Sequence, residues 1–103
     1  MNRENNILPS DKIFTTSIRL TIMLILFSHK KILLNELKSI LELTSGNLDH
    51  HLRKLETAGY VRTRKSLFPT RLLTIVEITT EGFDAFKEYL SKMKEVLNQI
   101  PLD

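Results

Sequence analysis

The sequence contains no cysteine, and glycine and proline occur only three times each. The absence of cysteine excludes disulfide bonds and thiolate metal sites. Three scattered glycines cannot form a glycine-rich phosphate-binding loop. The longest apolar run, residues 22–27, is much shorter than the about 20 residues that cross a bilayer, and the chain does not begin with a cleavable signal pattern. We therefore expect a cytoplasmic protein without a membrane segment.

Histidine is also scarce, with His29, His50 and His51 as the only imidazoles. On a helix the side chains of His50 and His51 point about 100° apart, so they cannot bind one metal ion together. No nucleophile motif is present. The sequence thus predicts a protein that is not an enzyme and needs no metal or cofactor, and nothing in it indicates a small-molecule effector.

The charge is unevenly placed along the 103 residues, a length typical of one domain. Hydrophobic residues make up 42% and charged residues 26%, as in ordinary globular proteins. The net charge is +3, but residues 44–71 hold six basic and two acidic residues, which leaves −1 for the rest of the chain. A basic excess confined to one segment favours a polyanionic partner.

An amphipathic helix is predicted over residues 44–58. Thr44 is a good N-cap and Gly59 a good residue to follow the last turn. The apolar face repeats at helical spacing through Leu48, Leu52 and Leu55. The opposite face is polar or basic and consists of Gly46, Asn47, His50, Arg53, Lys54 and Thr57. Such a face suits a DNA major groove, although many solvated surface helices look alike.

The segments around this helix predict a helix-turn-helix followed by a wing. Upstream, a short strand at 32–34 leads to a helix over 35–42, with Asn35 as its N-cap, that buries Leu37, Ile40 and Leu41. The connection from this helix to Thr44 is very short. Downstream, residues 61–66 and 72–78 are rich in strand-forming residues and flank a five-residue turn, 67–71. The predicted fold class is mainly α with a β-hairpin wing.

The two ends of the chain predict dimerisation helices. We expect residues 1–9 to form a flexible polar arm. A helix predicted over about 10–28, capped by Ser10 or Asp11, carries apolar stripes on two sides. A last helix over about 80–99 has an apolar heptad seam. We expect a homodimer interface made of Leu20, Leu24, Phe27, Phe83, Phe86, Leu90, Met93, Leu97 and Ile100. The alternative is that the last helix folds back over its own sheet.

The sequence resembles small stand-alone winged-helix regulators related to the MarR and ArsR groups. The resemblance covers about residues 19–97 and is carried by positions 19–22, 43–48, 51–52, 55–56, 59–61, 78–82, Phe86 and Tyr89. It implies a winged helix-turn-helix and a prokaryotic transcriptional regulator that binds duplex DNA as a homodimer. Relatives commonly carry two basic residues around a proline before the second wing strand, whereas only Arg71 is present here. A weaker minor-groove contact from the wing is therefore implied.

The candidate DNA contacts lie on the helix over 44–58 and on the wing. The first helical turn attracts phosphate through its free N–H groups, Asn47 and His50 suit base edges, and basic side chains suit phosphates. The helix candidates are Thr44, Ser45, Gly46, Asn47, His50, Arg53 and Lys54. The wing candidates are Arg62, Arg64, Lys65 and Arg71.

Each candidate also has a structural interpretation. Thr44 caps its helix in any case, Arg53 is spaced to pair with Asp49, and wing cations often only prevent strand pairing. Phe68 at the wing tip could pack back onto the sheet. The partners expected are a pseudo-palindromic duplex and a second copy of the chain; the alternatives are a protein-interaction module or a sequence-tolerant architectural DNA binder.

Overall fold

The computed structural model describes residues 12–102, which form four α-helices and a three-stranded antiparallel sheet. The helices are α1 (Ser17–His29), α2 (Leu34–Leu41), α3 (Ser45–Thr57) and α4 (Thr80–Asn98), and the strands are β1 (Lys31–Leu33), β2 (Val61–Leu67) and β3 (Leu72–Ile78). A single 3-10 turn, Lys12–Phe14, precedes α1. This order of elements confirms the predicted winged helix-turn-helix.

The sheet has the order β1-β3-β2, so β3 is its central strand. β1 pairs with β3 through Ile32 opposite Val76, and the β2-β3 hairpin closes with Leu67 opposite Leu72. Phe68 donates its backbone N–H to the carbonyl of Arg71 at 2.8 Å and thereby shapes the loop. Leu67, predicted to belong to the turn, is instead the last residue of β2.

The first helix begins later than predicted. After the 3-10 turn, Thr16 accepts the N–H of Arg19 on its side-chain oxygen at 3.3 Å and caps α1 at Ser17. A hydroxyl that caps the backbone competes with continuing the helix through it. The break turns Phe14 into the core, where it is fully buried and packs on three other aromatic rings. The predicted arm 1–9, Ser10 and Asp11 lie outside the described residues.

Two predictions about α2 are wrong. Asn35 lies inside the first turn, while Leu33 holds the cap position without a side-chain hydrogen bond, because β1 runs directly into the helix. Ile40 is 58% exposed rather than buried. The stripe that faces the core consists of the buried Leu37 and the half-buried Leu34 and Leu41. At about 100° per residue, Ile40 falls beyond the edge of this stripe.

The junction between β3 and α4 is fixed by Thr79. Its hydroxyl donates to the carbonyl of Gly59 at 2.6 Å and accepts the N–H of Gly82 at 2.9 Å, and its own N–H donates to Tyr60. An added Cβ on Gly82 would overlap the backbone of Tyr60. The start of α4 is thus held tightly against the end of the helix-turn-helix.

The first half of α4 packs on its own protomer. Phe86 is fully buried against Phe14 and Phe27, so it has no surface left for a partner and its assignment to a dimer interface is corrected. Phe83 stacks on Phe27 with ring centroids 4.5 Å apart. Of the other predicted interface residues, Leu20, Leu90 and Met93 are half-buried against the core, whereas Leu24, Leu97 and Ile100 are exposed. Within residues 12–102, no helix is both long and apolar enough to cross a membrane.

Candidate nucleic-acid interface

The helix α3 is defined by capping at both ends. Thr44 accepts the N–H of Asn47 at 3.1 Å. At the other end Gly59 has a positive φ of 81°, and the N–H groups of Gly59 and Tyr60 bond back to Glu56 and Leu55, both at 2.9 Å. These two bonds form a Schellman motif, which the glycine makes sterically easy. The helix predicted over 44–58 therefore spans Ser45–Thr57.

The face of α3 opposite its buried leucines is open to solvent. Its exposed residues are Ser45, Gly46, Asn47, His50, Arg53, Lys54 and Thr57. A Cβ added to Gly46 would meet nothing within 4 Å, so the backbone is accessible there. Arg53 pairs with Asp49 at 2.9 Å as predicted, but both side chains are more than half exposed. Such a pair contributes little to stability, which leaves Arg53 available to a phosphate.

Lys38 of α2 lies beside the first turn of α3, a position that the sequence analysis missed. Its Nζ donates to the hydroxyl of Ser45 at 2.7 Å. The approach depends on Glu42, whose left-handed conformation (φ 52°) turns the chain from α2 into α3. A basic side chain thus adds to the positive end of the α3 dipole, where an anion would bind.

His51 anchors α3 to the N-terminal elements. Arg19 donates from Nη1 to Nδ1 of His51 over 3.2 Å, and from Nε to the carbonyl of Ile13 at 2.7 Å. Burial, then the charge of Arg19, and then His50 lower the pKa of His51, which favours the neutral ring that accepts this bond. The contact holds His51, which is half-buried, at the edge of the core.

The two faces of the wing differ in chemistry. Residues directly opposite in an antiparallel pair share a face. One face carries the pairs Val61/Ile78, Thr63/Val76, Lys65/Thr74 and Leu67/Leu72. Because Val61 and Val76 are buried in the core and Thr63, Lys65 and Thr74 line a ≈ 540 Å³ groove shared with α2 and α3, this face is turned toward α3. We call it the inner face, and the opposite one the outer face.

Arg62 and Arg64 lie on the outer face, where both bind Glu77. Their Nε atoms lie 3.4 and 2.6 Å from one oxygen of that carboxylate. The hydrogen bond from Arg64, more than any other cause, lowers the pKa of Glu77. Glu77 was not foreseen from the sequence, because it lies on the facing strand and its contact with these arginines depends on the strand register.

The other two wing cations, Lys65 and Arg71, do not take part in the ion pairs with Glu77. Lys65 is exposed on the inner face and Arg71 is exposed at the tip. Among the described residues neither makes an ion pair. Residues 61–76 contain four basic residues and no acidic one. Two of the four, Arg62 and Arg64, lie on the outer face, so Lys65 is the basic residue of the inner face, across a groove from α3 that Asp49 and Glu56 also line.

The comparisons with known proteins agree with this architecture. A sequence profile of the winged helix DNA-binding domain matches residues 18–97. The uncharacterized protein MJ0432 of Methanocaldococcus jannaschii is 42% identical over 89 residues, which cover 86% of this chain and 97% of that protein. The structure of a transcriptional regulator homologue from Pyrococcus horikoshii OT3 superposes with a TM-score of 0.83 at 38% identity, covering 90% of this chain and 92% of the other.

More distant structures share the fold. The crystal structure of MarR matches with a TM-score of 0.69 at 20% identity, over 84% of this chain and 62% of that one. Reduced AbfR bound to DNA matches with a TM-score of 0.65 at 24% identity, over 85% of this chain and 60% of that one. The winged-helix resemblance noted in the sequence is thereby confirmed, and the chain belongs to the winged helix DNA-binding domain family.

Proposed function

We propose that this protein is a transcriptional regulator of the MarR type that binds specific sites in duplex DNA as a homodimer. The observation that carries the proposal is the exposed polar and basic face of α3, next to a wing whose inner face carries Lys65. The similarity to a solved transcriptional regulator homologue at 38% identity supports it, as does the shared fold with AbfR, which has been solved bound to DNA.

In this proposal α3 lies in the major groove. Its first turn, with Thr44, Ser45, Gly46 and the adjacent Lys38, binds a backbone phosphate through free N–H groups and positive charge. Asn47 and His50, which are exposed near the N-terminus of α3, contact base edges, since a helix presents its N-terminal residues there. Arg53 and Lys54 lie further along and contact phosphates at the rim of the groove.

The wing contributes through Lys65, which lies on the face turned toward α3, and through Arg71, which is exposed at the tip. Arg62 and Arg64 were predicted as contacts from sequence, but their ion pairs with Glu77 on the outer face favour a structural role. We propose that these two arginines stiffen the hairpin. The phosphate contacts of the wing are then fewer than the count of its basic residues suggests.

The homodimer is proposed from the apolar side chains that the protomer leaves exposed in the middle of α1 and at and just beyond the end of α4. Leu24, Leu97 and Ile100 are 44%, 50% and 47% exposed. Pairing these surfaces across a two-fold axis, together with the half-buried Leu90 and Met93, removes them from water. Two α3 helices related in this way fit successive major grooves about 34–36 Å apart, so the site is a pseudo-palindrome.

Selection of bound sequences from a random duplex pool tests the function directly. We expect an enriched pseudo-palindrome whose affinity falls steeply with rising salt. Salt-sensitive binding without any enriched sequence would contradict specific regulation and favour an architectural DNA binder. Absence of duplex binding at low salt would contradict the proposal as a whole and favour a protein-interaction module.

A further inference from the structure

The tip of the wing exposes three large apolar side chains. Leu67, Phe68 and Leu72 are 67%, 71% and 61% exposed. Leu67 and Leu72 are the last cross-strand pair of the hairpin and lie on the inner face. Phe68 starts the loop, so it projects into solvent rather than packing back onto the sheet. Exposing a cluster of this kind is unfavourable in water and is typical of a contact surface.

The charge around the tip identifies the partner. On the inner face, the next pair toward the core is Lys65 opposite Thr74. Arg71 is held beside Phe68 by the bond between their backbones, and residues 61–76 contain no acidic side chain. An apolar tip flanked along the hairpin by Lys65 and Arg71 complements a polyanion that also offers apolar surface between its stacked bases. Architectural proteins use this combination when they insert apolar wedges into the minor groove.

The position of the tip fits the same partner. Each seven-residue strand of the hairpin is about 23 Å long, and the inner face that leads to the tip is turned toward α3. With α3 in a major groove, a hairpin of this length is long enough to span the intervening phosphates toward the adjacent minor groove. The tip is thus placed to reach DNA that α3 does not contact.

We propose that Phe68 acts as an apolar wedge that enters the flanking minor groove and partly unstacks one base step in each half-site. Leu67 and Leu72 contact the sugar walls of the groove, and Arg71 binds a phosphate beside it. The proposal rests on the proposed function and extends it. Because pyrimidine-purine steps unstack most easily, it implies a preference for such a step at a fixed distance from the bases that α3 reads.

Fluorescence of 2-aminopurine placed at successive flanking steps of the selected duplex tests the wedge. Wild-type protein at saturation should raise the fluorescence at one step per half-site and shorten the end-to-end distance of a doubly labelled duplex. Phe68→Ala should abolish both signals and weaken binding about tenfold, the loss expected for one base-aromatic contact. Arg71→Ala is the matched control. At saturation it should keep both signals, while the slope of log affinity against log salt concentration should become shallower by about one, because one phosphate contact is lost.

The outcomes separate this inference from the proposed function. Two results would overturn the wedge while leaving DNA binding intact. One is tight binding by wild-type protein without increased 2-aminopurine fluorescence at any flanking step. The other is a Phe68→Ala protein that gives the same fluorescence and the same end-to-end distance as wild type. If Phe68→Ala changes only the sedimentation of the free protein, the tip is a contact between copies of this chain and the wedge is again overturned. If wild-type protein binds no duplex, the proposed function fails as well. Circular dichroism of Phe68→Ala should match wild type because the side chain is exposed.

Discussion

Arg19 and His51 connect α1 to α3 across the protomer, with 3.2 Å between Nη1 of the guanidinium and Nδ1 of the imidazole. A guanidinium only donates hydrogen bonds, so Nδ1 must be the acceptor and the ring must be neutral. The same arginine holds the carbonyl of Ile13. The orientation of α3 relative to the 3-10 turn thus depends on an imidazole that ordinarily titrates near neutral pH.

The first prediction follows from the lowered pKa of His51. The unfolded chain binds a proton at this ring more readily than the folded protein does, so the free energy of unfolding should fall as pH drops through about 6.5 and level off below the folded pKa. Urea unfolding between pH 5 and 8 measures this. His51→Gln should flatten the dependence, whereas His29→Gln, which removes an exposed imidazole at the end of α1, should retain it. Equal slopes in wild type and His51→Gln would contradict the prediction.

The second prediction compares two glycines in helices. Gly82→Ala places a Cβ on the backbone of Tyr60 and should lower the free energy of unfolding by about 3 kcal/mol or more, since backbone cannot easily yield. Gly46→Ala meets open space and should leave stability unchanged or raise it by up to about 1 kcal/mol. Only Gly46→Ala should yield well-folded protein with reduced affinity for DNA, because its methyl group stands where the phosphate approaches. Denaturation curves and duplex titrations together check the contrast.

Local signals were sufficient to predict α3. Its cap at Thr44, its leucine spacing and its terminal Gly59 are all read within one helical segment, so the structure differs from the prediction by only one residue at each end. The hairpin could also be predicted, because strand propensity is read from short local segments.

Three features that could not be predicted from the sequence depend on contacts between distant parts of the chain. The start of α1 depends on the packing of Phe14 against aromatic rings that distant elements contribute. The role of Arg64 depends on Glu77, thirteen residues away on the facing strand. Phe86 fits the heptad seam of α4 as well as it fits the core, and periodicity alone does not distinguish the two.

The third prediction separates the faces of the wing. Lys65→Ala should weaken all duplexes alike and reduce the slope of log affinity against log salt by about one, because one phosphate contact is lost. Arg64→Ala should leave that slope unchanged and lower stability by about 1 kcal/mol or less, since the arginine is partly exposed. Filter binding across a salt series measures both. The assignment of faces is wrong if Arg64→Ala changes the slope and Lys65→Ala does not.

The fourth prediction concerns base reading by α3. Asn47→Ala should weaken the selected site by about 1–3 kcal/mol and relax the preference at one base pair per half-site, because a base-edge contact carries sequence information. Lys54→Ala, a phosphate contact on the same face, should weaken selected and random duplexes equally. Repeating the pool selection with each variant measures the change in preference. An unchanged preference with Asn47→Ala would assign the reading to other residues.

The last prediction tests the homodimer without damaging the protomer. Leu90 and Met93 pack against the core, so charged substitutions there would destabilise the fold and obscure the result. Leu97 is 50% exposed near the end of α4, and Leu97→Glu should leave the fold intact while placing a desolvated charge in the interface, which is strongly unfavourable. We expect wild-type protein to sediment as a dimer at tens of micromolar and Leu97→Glu as a monomer that binds a palindromic duplex no better than a half-site.

Ile40→Glu, at a similarly exposed apolar position on α2, is the matched control and should remain dimeric. A wild-type monomer at that concentration, or a Leu97→Glu protein that stays dimeric, would mean that α4 does not form the interface.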